Sequence, residues 1–319
     1  MRWITEERYP EVMRETAEPY TAQRMESGTF ARVENQPIYY EHYRADEPKG
    51  VIVISHGFTE SVQKFTESVY YMLQRGFEVW GFDHRGHGKS YRPNGHAHIV
   101  HVDRFEDYIQ DLVYLVETLV KPASGALPLY LYCHSMGGCV GAWTIEEYPT
   151  LFQKAVLSSP MLGLSFGSIP APVMAAAAGV LGIGKRKQKS LQPAESFNPT
   201  PDFANSADSS ECRYLYYLQK QTEHPELQTY MPSIGWGRQS ILACRRVSAP
   251  KNMQKIRIPI LLLQAGEDTM VKNAAQDAFA AAVPSCTFER IPGVKHELYM
   301  TDSDVLIPYW ERVFAFLEA

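Results

Sequence analysis

The chain has 319 residues, a net charge of −5, and 45% hydrophobic and 21% charged residues. This composition is globular and excludes a disordered or collagen-like chain, and the length suits one large domain or two ordinary ones. The acidic balance argues against nucleic-acid binding, which requires a basic face. The five cysteines are widely spaced and form no CxxC pair, so we expect neither a disulfide framework nor a cysteine zinc site. Reduced thiols and a cytoplasmic location are the simplest expectation.

No membrane-spanning or secretory segment is expected. The amino-terminal residues are charged throughout, whereas a signal peptide needs an apolar stretch. No run of about 18 apolar residues exists. The most apolar stretch, residues 169–184, is short, contains Gly and Pro, and precedes the basic residues Lys185, Arg186, Lys187 and Lys189. Two interpretations of residues 169–189 stay open: a peripheral membrane contact, and a helix packed on the core beside a solvated basic loop.

The predicted elements alternate between strands and helices along most of the chain. Two alternating stretches within residues 28–44 predict a hairpin of edge strands. The β-branched run 51–54 predicts a strand buried on both faces, as in a parallel sheet. Further strands are predicted at 79–82, 129–132, 155–157, 258–264 and 287–291, with helices at 61–75, 102–120, 136–148, 272–282 and at the carboxyl end.

This alternation predicts an α/β fold with a doubly wound, mostly parallel sheet flanked by helices. The rhythm stops after Pro160 and resumes near residue 251. We therefore predict a core formed by residues 1–160 and 251–319. Residues 161–250 are predicted to form a helical lid inserted over one end of the sheet.

The strongest chemical motif is YCHSMGG at residues 132–138, which joins a predicted strand to a predicted helix. This context suits a nucleophile elbow, in which a tight turn exposes the serine, here Ser135, above the sheet. Cys133 replaces the first glycine of the usual G-x-S-x-G pattern. An ordinary glycine-rich turn is the alternative interpretation of these residues alone.

A serine nucleophile needs a base and an orienting acid, which follow it in the chain in this fold. Asp268 lies in the loop after a predicted strand and is the candidate acid, with the adjacent Glu267 as its alternative. His296 lies in the loop after the last predicted strand and is the candidate base. Post-strand loops of a parallel sheet face the same crevice, so these side chains are expected to meet Ser135.

A second turn, HGF at residues 56–58, follows the first buried strand. Its position predicts that the backbone N–H groups of Phe58 and Met136 form an oxyanion hole. The alternative is a plain turn with a structural His56.

Six motifs together resemble the monoacylglycerol lipase and lysophospholipase family of α/β-hydrolases. They are HGF at 56–58, FDHRGHGKS at 82–90, HVDRFEDYIQDL at 101–112, HSMGG at 134–138, LLLQAGEDTMV at 261–271 and VKHE at 294–297. Within the predicted lid, GWGRQSILA at 235–243 is similar to the bacterial lysophospholipase L2 branch. The resemblance spans about residues 30–319 and is densest in the predicted core.

The resemblance implies an eight-stranded α/β-hydrolase fold and a cofactor-free serine hydrolase that cleaves single-acyl glycerol esters or lysophospholipids. It implies a triad of Ser135, Asp268 and His296, with Phe58 and Met136 as oxyanion donors. Two alternatives stay open: a catalytically silent ligand- or partner-binding protein, and an acyltransferase with the same triad. A dehalogenase is disfavoured, since it would carry Asp in place of Ser135. The sequence does not indicate the oligomeric state.

Two weaker features complete the candidate site. Trp236 and Arg238 are candidates for binding a glycerol or phosphate head group, with packing and a structural ion pair as the alternative. Several histidines lie between residues 84 and 101, but they lack a helical metal-binding spacing, and no metal is expected. We expect the FDHRGHGKS loop to brace the rim of the site through hydrogen bonds of Asp83 and Arg85.

Overall fold

A computed structural model of the chain describes residues 1–164, 171–190 and 197–319. Eight strands form its main sheet, in the order β1-β2-β4-β3-β6-β7-β9-β10. Their bounds are β1 Met25–Phe30, β2 Ile38–Tyr43, β3 Gly50–Ser55, β4 Phe77–Phe82, β6 Leu129–His134, β7 Lys154–Ser158, β9 Ile260–Ala265 and β10 Cys286–Ile291. A separate parallel pair joins β5 Ile99–Val100 to β8 Met231–Pro232.

The sheet confirms the predicted fold class. Only β1 with β2 and β2 with β4 pair antiparallel, and every other neighbouring pair in the sheet is parallel. The predicted hairpin forms, but β2 is an interior strand, because β4 covers its second edge. Strands β3, β4, β6 and β9 are buried along their whole length, which explains their continuous apolar sequences.

Helices cover both faces of the sheet. The longer ones are Thr66–Gln74, Glu106–Leu115, Met136–Glu147, Asn273–Ala282 and Ser303–Glu318. The helix predicted at 102–120 begins at Glu106 instead and runs on through a π-helical turn Val116–Val120 to Lys121–Ser124. Helical turns between Glu6 and Ala22, which sequence patterns did not predict, precede the sheet.

The segment between β7 and β9 is mainly helical where the structure describes it. Its helices are Ala171–Leu181, Glu211–Glu223, Ile234–Val247 and Pro250–Met253. Helix Ala171–Leu181 packs against helix Ile234–Val247, which also contacts helix Met136–Glu147 of the sheet layer. The boundaries 161 and 250 and the role of a lid remain predictions.

No helix in the described part of the chain has the length and apolar character needed to cross a membrane.

The loop after β4 is held by buried polar groups, as its sequence predicted. The carboxylate of Asp83 accepts hydrogen bonds from the backbone N–H groups of Val62 and Lys89. Arg85 donates two hydrogen bonds to Asp111, at 2.6 and 2.8 Å. Gly88 has φ +47° and lies so close to Asp83 that a Cβ would be 2.0 Å from its Oδ2. Asp83 therefore holds the loop in place, and any side chain at position 88 would displace the Asp83 carboxylate.

Three histidines beside this loop are buried in their neutral forms. Burial lowers the pKa of His56 to about 4 and lowers the pKa values of His84 and His87 well below their ordinary value. His56 Nε2 accepts a hydrogen bond from the His84 backbone N–H, so its Nδ1 carries the proton and donates to Gly57 O at 2.7 Å. This tautomer fixes the turn that carries Phe58.

These histidines predict a loss of stability in acid. Because the folded pKa of His87 lies below its unfolded value, the unfolded chain binds an extra proton as pH falls through roughly 6.5. His87→Gln removes this proton, so its free energy of unfolding should fall less steeply below pH 6.5, by up to about 1.4 kcal/mol per pH unit. Urea unfolding at a series of pH values measures the slope. His96→Gln, at an exposed position, is the control, and equal slopes for wild type and His87→Gln would contradict the prediction.

Candidate active site

The predicted site residues follow four parallel strands of the sheet. Phe58 lies after β3, Ser135 after β6, Asp268 after β9 and His296 after β10. These strands are parallel, so their carboxyl ends lie along one edge of the sheet, where ligands bind in open α/β folds. The topology thus brings side chains that are far apart in sequence to one edge.

Ser135 adopts a backbone conformation that is rare for a residue with a side chain. Its φ is 51° and its ψ −115°, between the end of β6 and the start of helix Met136–Glu147. Its N–H donates to Ser158 O at 3.1 Å, and its carbonyl accepts from Met161 N–H at 2.8 Å. Such strain costs on the order of 1–3 kcal/mol and persists only where the surroundings enforce it. This is the geometry expected of a nucleophile elbow.

The glycines after Ser135 allow the helix to approach the sheet. A Cβ on Gly137 would lie 1.9 Å from Ser55 O, and one on Gly138 would lie 2.5 Å from Pro160 Cβ. No side chain fits at either position without moving the backbone. The sequence motif therefore reflects close packing of the helix on the loops after β3 and β7.

Cys133 replaces the usual first glycine of the motif, and the structure shows where its side chain fits. Its thiol is buried against Gly141, at which a Cβ would lie 2.4 Å from Cys133 Sγ. Gly141 therefore provides the space that the replacement requires. This compensation is one helical turn away from the motif.

His296 and Asp268 are in direct contact. His296 Nδ1 is 2.6 Å from Asp268 Oδ2, and Asp268 Oδ1 accepts the N–H groups of Met270 and Val271. Burial would raise the pKa of Asp268, but the hydrogen bond and charge of His296 outweigh it and hold the pKa below its ordinary value. Glu267, the alternative acid, is exposed. The structure thus brings Asp268, and not Glu267, to the imidazole.

The imidazole of His296 also lies beside the residue that precedes the serine. Its ring centroid is 4.8 Å from that of His134. Within the described ranges no hydrogen bond joins Ser135 Oγ to His296, a contact that often tightens only when substrate binds. Ser135 itself is 8% exposed.

The two predicted oxyanion donors belong to adjoining loops. Met136 is the first residue of its helix, so its N–H has no acceptor within the helix. Gly57 contacts His134, and Gly137 contacts His56, which places the loop of Phe58 against the elbow. Neither backbone nor side-chain acceptors in the described residues bind the Phe58 N–H. Since no described residue accepts from either N–H group, both are available there for a developing negative charge.

Comparison with known proteins assigns the fold and the family. The family model described as "Serine aminopeptidase, S33" matches residues 46–304. The lysophospholipase L2 of Escherichia coli K12 is 31% identical over 259 residues, which cover 78% of this chain and 73% of that protein. The monoacylglycerol lipase of Mycolicibacterium smegmatis is 26% identical and covers 88% of this chain and 92% of its own.

The chain belongs to the monoacylglycerol lipase and lysophospholipase family of α/β-hydrolases. The sequence resemblance is thereby confirmed. A carboxyl esterase structure from Bacillus coagulans shares the fold, with a TM-score of 0.74, 16% identity and coverage of 92% of this chain and 98% of that one.

Sequence reasoning missed a buried charged cluster beneath the elbow of this α/β-hydrolase. Lys64 Nζ is 2.5 Å from Glu297 Oε2 and 3.9 Å from Glu60 Oε1. Glu60 also accepts hydrogen bonds from the Gly57 N–H and, at 2.7 Å, from the Tyr299 hydroxyl. These groups come from two distant parts of the chain, residues 57–64 and 297–299, and of the three charged side chains only Glu297 lies within one of the six motifs, VKHE.

Two of these carboxylates and the neighbouring His134 are close enough together to suggest a metal site. One ligand atom from each of Glu60, His134 and Glu297 lies within 4.8 Å of the others. The ammonium of Lys64, however, already lies between the two carboxylates and is paired most closely with Glu297. A bound cation would have to displace it, so the arrangement favours the lysine as the resident positive charge.

A cavity of about 780 Å³ lies between the sheet layer and the helices that follow β7. Its described lining includes polar residues, among them Thr59, Lys64, Asp208 and Tyr217, and apolar residues, among them Met174, Ala178, Pro232, Ile234 and Ile241. Ser135 and His296 are not among the described lining residues. The cavity reaches the site through Thr59, which follows Phe58, and through Lys64, which binds Glu297.

The candidate head-group residues Trp236 and Arg238 have other neighbours. The ring of Trp236 packs on Phe58 with centroids 4.1 Å apart. Arg238 lies against Gly179 of the neighbouring helix. Neither belongs to the described lining of the cavity. Their proposed contact with a head group remains a prediction.

The Cys133–Gly141 contact can be tested by its own reversal. Gly141→Ala should destabilise the fold by about 1–3 kcal/mol, because the new methyl group overlaps the thiol. Adding Cys133→Gly should restore most of the loss. Gly237→Ala, which meets open space in another helix, is the matched control. Urea unfolding measures all four chains, and a double variant no more stable than Gly141→Ala would contradict the proposed fit.

Proposed function

We propose that the chain is a serine carboxylic ester hydrolase that releases a fatty acid from monoacylglycerols or lysophospholipids. The observation that carries the proposal is the 2.6 Å contact between His296 and Asp268 beside a strained Ser135 elbow. The elbow supplies a nucleophile, the imidazole a base, and the carboxylate an orienting group. Relatives named as lysophospholipase and monoacylglycerol lipase support the substrate class.

The proposed reaction uses only groups of this chain and water. Ser135 Oγ attacks the ester carbonyl while His296 accepts its proton, and Asp268 stabilises the imidazolium. The N–H groups of Phe58 and Met136 bind the oxyanion. His296 then protonates the leaving alcohol, and water, activated by the same imidazole, hydrolyses the acyl-enzyme. No cofactor enters either half of the reaction.

The cavity supports an amphipathic substrate. A long acyl chain must leave water to bind, and the apolar residues of the described lining, Met174, Ala178 and Ile241 among them, offer such an environment. Two polar residues of the lining, Thr59 and Lys64, adjoin Phe58 and Glu297 and so lie on the side of the candidate elbow. A single-acyl lipid has a polar alcohol part and an apolar chain, and the lining offers both kinds of contact.

The helix Ala171–Leu181 supports a peripheral membrane contact. Val180 and Ile183 are each 71% exposed, and the exposed Lys185 and Arg186 follow them. Apolar side chains beside cations suit the boundary of an anionic lipid surface. The helix also packs on helix Ile234–Val247, so a membrane contact and packing within the protein are compatible for this segment. Residues 169–170 of the predicted contact lie outside the described ranges, and the cytoplasmic location stays a prediction.

Labelling and substitution test the triad. Ser135→Ala should abolish both hydrolysis and reaction with a fluorophosphonate probe, because no other group occupies the elbow. Asp268→Asn should lower kcat by roughly 10³–10⁴, since the imidazole loses its orienting charge. Rates on a matched panel of monoacylglycerols and lysophospholipids measure both effects.

Two neighbours serve as controls for these variants. Ser285→Ala changes a serine at the opposite end of β9, and Glu267→Gln changes the exposed acid beside Asp268. Both should retain most of the wild-type rate. Probe labelling of Ser135→Ala, or a larger loss in Glu267→Gln than in Asp268→Asn, would overturn the assignment. A wild-type chain that neither reacts with the probe nor hydrolyses any substrate of the panel would support a catalytically silent binding protein.

The membrane contact predicts a selective defect. Val180→Ser with Ile183→Ser should lower hydrolysis of long-chain esters in anionic vesicles more than hydrolysis of a soluble butyrate ester, because only the former requires the lipid surface. Val33→Ser, at a similarly apolar exposed site between β1 and β2, is the control. Vesicle co-sedimentation provides a second measurement. An equal loss on both substrates would count against the contact.

A further inference from the structure

The cavity is lined by two charged side chains that the proposed reaction does not use. They are Lys64 and Asp208, and Glu297 lies directly behind them. We call these three residues the acid pocket. Asp208 is only 6% exposed, so its carboxyl is largely removed from bulk water.

Backbone contacts fix Asp208 against the loop of the catalytic histidine. The N–H of Glu297 donates to Ala207 O at 3.1 Å, and the N–H of Lys295 donates to Ser209 Oγ at 2.8 Å. Ala207 and Ser209 are the sequence neighbours of Asp208, and Lys295 and Glu297 are those of His296. The two bonds therefore join the segments of Asp208 and His296 directly. The acid pocket is therefore held beside the candidate base.

In the described lining, the acid pocket has no cation that is not already paired. Lys64 is the one cation in the described lining, and residues 165–170 and 191–196, outside the described ranges, contain no Lys or Arg. Its ammonium is paired with Glu297: burial would raise the pKa of Glu297, but Lys64 outweighs it and lowers the pKa to about 2. A phosphate group would thus meet carboxyls and a cation that is already neutralised.

Asp208 has hydrogen-bonding capacity left over. Oδ1 receives no hydrogen bond from an N–H or O–H group in the described part of the chain, and the Glu297 carboxyl lies within hydrogen-bonding distance of Asp208. Burial, together with the charge of Glu297, raises the pKa of Asp208 well above its ordinary value. It is therefore the member of this pair that more readily carries a proton. A carboxylic acid both donates and accepts a hydrogen bond, as an alcohol does.

We infer that the acid pocket binds the free hydroxyls of an uncharged glycerol head group and disfavours anionic phosphate-bearing head groups. The inference rests on the proposed ester hydrolysis and selects monoacylglycerols within it. In a monoacylglycerol the free hydroxyls lie within a few bonds of the scissile ester, so they must bind close to the elbow. Asp208 and Lys64 line the cavity beside the loop that carries His296, and a neutral alcohol needs no counter-charge from either.

Substrates of one acyl chain and different head groups test this inference. We would measure kcat/KM of the full chain on a monoacylglycerol, the methyl ester, lysophosphatidylglycerol and lysophosphatidylcholine, all in the same neutral-detergent micelles. The monoacylglycerol should exceed lysophosphatidylglycerol by at least about tenfold, a difference of 1.4 kcal/mol. Equal or faster cleavage of lysophosphatidylglycerol would overturn the inference, and a preference for lysophosphatidylcholine would overturn it in favour of a cationic head group.

A variant isolates the role of Asp208. Asp208→Ala should lower the ratio of monoacylglycerol to methyl ester hydrolysis by about tenfold, the loss expected for a hydrogen bond to a substrate hydroxyl. Asp208→Asn, which still donates and accepts, should restore part of the ratio. Asp202→Ala, an exposed acid in the same segment, should leave the ratio at its wild-type value. An unchanged ratio in Asp208→Ala would refute the proposed contact.

The two proposals fail in distinguishable ways. A wild-type chain that cleaves no ester and takes no fluorophosphonate label would refute the ester hydrolase. A chain that labels at Ser135 and cleaves the methyl ester, but shows no preference for the glycerol ester, would refute only the head-group assignment. Should Asp208→Ala fail to fold, the ranking of wild-type substrates decides the question without it.

Discussion

The site depends on one backbone constraint, the left-handed conformation of Ser135. No local preference favours it, so the surrounding packing must supply the energy. Two backbone hydrogen bonds, from Ser135 to Ser158 and from Met161 to Ser135, hold the residue at the end of β6. The helix that follows can then lie against the sheet only because positions 137 and 138 have no side chain. The same arrangement leaves the Met136 N–H at the helix start without an acceptor in the described residues, so the candidate nucleophile and a candidate oxyanion donor lie in a single turn.

Much of this could be predicted from sequence because the relevant signals are local. Continuous apolar runs mark the strands buried on both faces, and the loops that follow them carry Ser135, Asp268 and His296. Parallel strands then bring those loops to one edge, so the contact of His296 with Asp268 follows from topology. The sequence favoured Asp268 but kept Glu267 as the alternative, since adjacent residues share a loop and only the turn geometry decides which one faces the imidazole.

The parts that sequence did not predict are assembled from distant segments. Lys64, Asp208 and Glu297 lie on three separate stretches with no shared motif, and each alone is typical of a solvated surface. Cys133 lies on a strand and Gly141 on the following helix, so the sequence alone did not show that Gly141 makes room for the Cys133 thiol. Such pairs have no periodicity to reveal them, and only three-dimensional packing identifies them.

Two helices of the segment after β7 are attached to the core by different kinds of contact. Helix Glu211–Glu223 is tied to the core by Arg213, a buried guanidinium that donates two hydrogen bonds to Glu67 and others to Glu6 and Ile4 O. Losing one partner of such a buried pair is costly, so this half is fixed to the core through the amino-terminal turns. Helix Ala171–Leu181 makes its main contacts with helix Ile234–Val247 and exposes valines on its other side. The fixed half adjoins Asp208, and the less anchored half borders the apolar part of the cavity. The proposed head-group contact of Asp208 thus lies on the side that buried ion pairs fix, while Met174 and Ala178 of the apolar lining belong to the helix with fewer such ties.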